Sequence, residues 1–185
     1  MTWWQGRFTT RHAIVLQLGK DWDSEEMVEK RKTAAIALQH KEPQNSASDA
    51  VLDFFETLAF YERRNTLPLE LVWHQFHYWA VRYWFAARMR VEHQQSAEES
   101  TWEDFEDFVP RLLNFEAYVI CCQRFRKTHP TQRVAFYLLR YLAPGLVWRF
   151  HASCHAHRNE CQPSAIEDAI KADCDRFLRE EAEDK

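Results

Sequence analysis

The sequence predicts an all-α fold, a single-domain bundle of six to eight helices around a helical hairpin at about 48–64 and 68–91. Three observations carry this. Only three glycines occur in 185 residues, and none belongs to a G-x-G-x-x-G, Walker or G-x-S-x-G motif, which argues against nucleotide-binding α/β folds. Apolar residues recur at steps of three and four, the helical period. Residues 68–91, PLELVWHQFHYWAVRYWFAARMRV, are apolar over more than one helical face, the pattern of a helix buried on several sides.

In chain order, residues 1–6 read as a loose start, and 7–19 as a short amphipathic helix closed by Gly19 at the C′ position. Asp21 to Ser24 form a turn. Ser24 is a good N-cap, with Glu25 and Glu26 in the first turn of a helix that runs to about His40. Met27, Ala34, Ala35 and Leu38 give that helix a narrow, small-residue face. After a polar loop around Pro43, Ser46 to Asp49 offer caps for a helix over 48–64, with Val51, Leu52, Phe55, Leu58 and Ala59 on its buried side. Asn65-Thr66-Leu67 is short enough to make 48–64 and 68–91 an antiparallel pair.

The main stripe of 68–91 is Leu69, Val72, Trp73, Phe76, Trp79, Ala80, Tyr83, Trp84 and Ala87, flanked by Tyr78, Val81 and Phe85. Residues 92–100 read as a mobile polar loop, and Ser100-Thr101-Trp102-Glu103 as a capping box. Pro110 interrupts that helix or begins the next, over 111–127. Helices are expected over 131–142 and 146–159. A second capping box, Ser164 to Glu167, opens a terminal helix to about Arg179, and 180–185 is expected to fray.

No run approaches 18 apolar residues, so no transmembrane segment is expected. MTWWQGRFTTRHAIVLQLG has no A-x-A-like cleavage site and does not read as a signal peptide. Five cysteines, two of them adjacent, make a poor disulfide framework and fit reduced thiols, so a cytoplasmic location is expected.

The net charge of −4 hides segregation. Residues 92–107 hold seven acids and no Lys or Arg; 111–158 hold eight Lys or Arg against Glu116; 159–185 hold nine acids against four bases. Arg124, Arg126, Lys127 and Arg133 in the basic block are candidate phosphate contacts for nucleic acid, with pairing to the acidic blocks as the alternative. Cys154, His157 and Cys161 share one helical face, and with Cys174 they are a candidate zinc set. Helix residues alone cannot wrap a tetrahedron, so no cofactor is expected. Glu70, His74 and His77 also share a face and read as boundary residues rather than ligands. Trp3, Trp4 and Trp22 are candidate partner contacts, since Trp is enriched at binding hot spots; the alternative is packing onto the bundle.

FFETLAFYERRNTLPLELVWHQFHYWAVRYW (54–84), WEDFEDF (102–108) and DWDSEEMVEKRK (21–32) together resemble a bacterial helical family of unknown function whose members often carry transmembrane helices ahead of the soluble part. The resemblance covers roughly residues 20–108. No membrane anchor is seen here, and Asn65 stands where a glycine is usual; Asn also tolerates the left-handed conformation. The family brings no catalytic residues. The functional expectation is a non-enzymatic helical scaffold or regulatory module that binds a protein partner or itself. The alternatives are nucleic-acid binding through 111–158 and zinc binding through 151–174.

Overall fold

The computed structural model describes residues 3–42, 44–98, 100–128 and 162–183, with side chains from residue 10 on except over 121–128. The described residues form six helices and no strand: α1 (Trp3–Trp22), α2 (Glu25–Gln39), α3 (Ser46–Arg63), α4 (Leu69–Gln95), α5 (Glu103–Thr128) and α6 (Pro163–Glu183). The chain is therefore an all-α helical bundle. It divides into two compact units, Met1–Leu112 with Ala169–Lys185, and Leu113–Asp168. The expected helices over 131–142 and 146–159 lie outside the described residues.

In the first unit, α4 is the hub. Gln75 of α4 faces Gly19 of α1. Tyr83 bonds to the α2 backbone, Phe76 meets Phe54 of α3, Trp84 meets Phe105 of α5, and Tyr78 and Tyr83 meet Phe177 of α6. The main apolar stripe is thus covered by neighbouring helices, while Tyr78 and Met89 of the flanking stripe remain exposed. Large aromatics bury on the order of 150–250 Å² each, so this hub dominates the core. Phe76 of α4 meets Phe54 of α3, while Arg90, fourteen residues further along α4, pairs with Asp49 near the start of α3, which makes the expected hairpin antiparallel. Its turn holds Asn65 at φ 54, the left-handed conformation that asparagine accepts.

Several ends differ from expectation. Gly19 does not close α1, because the helix runs on to Trp22. A Cβ at Gly19 would stand 3.4 Å from Gln75 Nε2, so the glycine lies at a close approach of α1 and α4. Ser24 caps α2 as expected, accepting from the Met27 amide at 3.2 Å. α3 starts earlier than expected, because Asn45 Oδ1 accepts from the Ala47 and Ser48 amides at 3.0 Å each. α4 continues to Gln95, beyond the expected end at 91.

The Ser100 capping box is replaced by a long-range cap. Glu56 of α3 accepts from the backbone amides of Asp104 and Phe105 at 3.2 and 2.7 Å. Trp102, at φ 56, donates its indole N–H to Asp53 at 2.8 Å. α5 then runs through Pro110, which has no N–H to offer its own helix. α6 opens with Pro163 and extends to Glu183, so residues 180–183, expected to fray, are helical.

In the second unit, the described side chains include the Phe115–Tyr118 pair, with ring centroids 5.9 Å apart.

Candidate functional site

The first constellation is a buried polar knot where α6 meets α2. Arg31 is one turn before Ala34 and Ala35 on the small-residue face of α2, so helical geometry carries it inward with them. It is 6% exposed. Its guanidinium lies over the Trp22 ring, 4.7 Å from the centroid, and 5.9 Å from that of Trp79. Arg31 Nε stands 3.3 Å from Glu181 Oε1, and Glu181 is 8% exposed. The Nε–H does not point at an acceptor among the described residues, so this is an ion pair by distance without a hydrogen bond from Nε. Tyr83 donates to the Arg31 carbonyl at 3.3 Å. Burial first, and the Glu181 charge second, push the Tyr83 phenol well above its ordinary range, so it stays a donor.

The second is a cleft of about 330 Å³ at the end of the same seam. Leu38 of α2, Phe85, Ala86 and Met89 of α4, and Leu178 of α6 supply its apolar lining. Met89 is 71% exposed. Lys41, Glu42, Arg90, His93 and Asp175 add charged and polar groups. Arg90 is committed inward, donating to Asp49 at 2.9 Å and to the Asn45 carbonyl at 3.3 Å. Cys174 also lines the cleft. Its thiol donates to the Ile170 carbonyl at 3.3 Å, and burial raises its pKa, so it is held as a thiol rather than a nucleophilic thiolate.

The third is the charged joint between α3 and the start of α5. Arg63 pairs with Asp104, and Glu62 with Arg111 at 2.5 Å. Burial raises the pKa of both Glu56 and Glu62, against the lowering effect of the Phe105 and Asp104 amides on Glu56 and of Arg111 on Glu62. These carboxylates cap and clamp helices. Part of the acidic 92–107 block thus faces α3 through Asp104, while Gln95 of α4 donates to Glu106 at 3.0 Å.

Of the residues singled out by sequence, Trp22 is 1% exposed and packs on Phe54, Phe55, Trp79 and Tyr83. It is a core residue, which corrects the expectation of a partner contact. Trp3 and Trp4 are on the backbone of α1, with side chains outside the described residues. Cys154, His157 and Cys161 lie outside them too, as do the side chains of Arg124, Arg126, Lys127 and Arg133. Cys174 has no neighbouring ligand set: among the described residues no group of three His, Cys, Asp or Glu side chains is placed to hold a metal. His77 stacks on Trp73 at 4.5 Å and donates from Nδ1 to the Trp73 carbonyl at 2.7 Å, a packed boundary residue.

The cleft was missed by sequence reading. Its signal was the flanking stripe Tyr78, Val81 and Phe85, which extends by four residues to Met89. No family model, curated protein or solved structure matches the chain. No described helix is long and apolar enough to cross a membrane.

Proposed function

We propose that the protein is a non-enzymatic helical scaffold or regulatory module, and that it binds a protein partner at the Met89 cleft. The observation that carries this reading is Met89 itself. It is a large apolar side chain, 71% exposed, beside an apolar slot lined by Leu38, Phe85 and Leu178. Methionine adapts its shape to a partner at little strain, and burying such a side chain stabilises a complex by roughly 1.5–3 kcal/mol. The polar groups around the slot support it: Arg90 is spent on Asp49 and the Cys174 thiol on backbone carbonyls. What the slot offers is shape and apolar area rimmed by charge, the anatomy of an interface.

The test is a quantitative pull-down comparing wild type, Met89→Asp and Leu16→Asp. Leu16 is another exposed apolar residue, on α1, and serves as the control. A specific partner is expected to fall about tenfold or more with Met89→Asp and to persist with Leu16→Asp. Equal recovery on both variants contradicts the cleft as the binding surface. Helical circular dichroism is expected to be unchanged in both, because the substituted side chains are exposed.

A further inference from the structure

We propose that α6 is an exchangeable element: the groove between α2 and α4 that it fills in its own chain also takes the α6 of a second copy of this chain. This rests on the reading of a protein-binding module, but concerns a different occupant from that of the Met89 cleft, which lies at the end of the same seam.

The groove reads the chemistry of α6 in detail. Phe177 sits edge-on to Tyr83, with ring centroids 5.1 Å apart, and to Tyr78 at 6.0 Å. Glu181 enters beside the buried Arg31, and Asp173 lies 3.9 Å from Arg82. An apolar anchor flanked by two carboxylates thus faces an aromatic floor flanked by two guanidiniums. Every copy of the chain carries both halves of this match, so a second copy is the occupant that the groove is already shaped for.

Connectivity favours exchange. Residues 169–185 belong to the same compact unit as 1–112, yet residues 113–168, which form the other unit, separate them in sequence. Returning to the groove is therefore a long-range closure, and a second copy supplies the same helix without any new contact.

The seam is also imperfectly satisfied. α2 packs on α3 through the fully buried Ala34 and Ala35. Along α6, Arg31 Nε and Arg82 Nε are buried without hydrogen-bond partners among the described residues, as Trp22 Nε1 and Glu62 Oε2 are elsewhere, and the 330 Å³ cleft opens at the end of this seam. Fewer satisfied contacts mean a lower free energy of local opening, which is the step exchange requires.

The experiment uses two full-length variants, Arg31→Glu and Glu181→Arg. Within either chain, like charges meet at the knot, and each is expected to lose roughly 6–20 °C in Tm. In an exchanged heterodimer both grooves regain opposite charges. The carboxylate introduced at position 31 meets the guanidinium introduced at position 181 in one groove, and the native Arg31 meets the native Glu181 in the other. Mixing the two after brief partial unfolding is expected to give a 1:1 dimer by native mass spectrometry, with the lost Tm largely restored. Two separate monomers with unchanged Tm overturn the proposal, as does a dimer that forms equally well from either variant alone. If either variant does not fold by itself, co-refolding the pair reads the same point. A soluble 1:1 complex supports exchange, and its absence overturns it. The Met89 cleft shares this seam, since Leu178 of α6 lines it, but the pull-down reads capture of a partner separately from the mass of the exchanged pair.

Discussion

The hydroxyl of Tyr83 donates to the backbone carbonyl of Arg31, 52 positions earlier in the chain, at 3.3 Å. This bond ties the hub helix to α2, whose small-residue face carries the buried Arg31. Tyr83→Phe leaves that carbonyl without the phenol and is expected to cost about 0.5–1.5 kcal/mol in urea unfolding. The loss is expected to be constant between pH 6 and 9, because burial keeps the wild-type phenol protonated throughout.

The Arg31–Glu181 pair has a different signature. Removing one partner strands a buried charge, so Arg31→Met or Glu181→Leu alone is expected to cost roughly 3–5 kcal/mol. The double variant Arg31→Met/Glu181→Leu is expected to recover most of that loss, since the desolvation penalty of both ions disappears. A double-mutant cycle by chemical denaturation measures the coupling directly.

Gly19 offers a test of where α1 ends. In a helix interior, alanine is favoured over glycine, and a Cβ here meets only the far end of the Gln75 side chain at 3.4 Å. Gly19→Ala is therefore expected to raise stability by about 0.5–1 kcal/mol. Destabilisation would instead indicate a left-handed helix-ending residue, since a Cβ is costly there.

The cap from Glu56 predicts an unusual pH response. Its folded pKa is raised above 4.5 by burial, so the folded state holds the proton more tightly than the unfolded chain. Its contribution is fully present below pH 4.5 and is lost as pH rises through the folded value. Glu56→Gln is expected to flatten that fall in stability just above pH 4.5, as read from urea midpoints against pH.

The hairpin was legible because its cause is local. The aromatic stripe of 68–91 and the short Asn65 turn require nothing beyond neighbouring residues, and Asn65 indeed adopts φ 54. The start of α5 was not legible. Glu56 reaches its two amides across nearly fifty positions, so a local capping box at Ser100 looked sufficient. Arg31 stood in a run of charges, Glu-Lys-Arg-Lys, that reads as a solvated surface. Its spacing to Ala34, Ala35 and Leu38 was the available signal, and Trp22 supplied the aromatic face that made burial tolerable. The Met89 cleft depends on three helices meeting at one end, a relation that helical periodicity does not contain.

Native-state hydrogen exchange tests most directly the central claim, an α4-centred core closed by a separable α6. Amides of 169–183 are expected to exchange through a local opening well below the global unfolding free energy, while those of α3 and α4 exchange only with global unfolding. Equal protection of α6 and α4 would contradict a separable α6 and make the helix an integral part of the core.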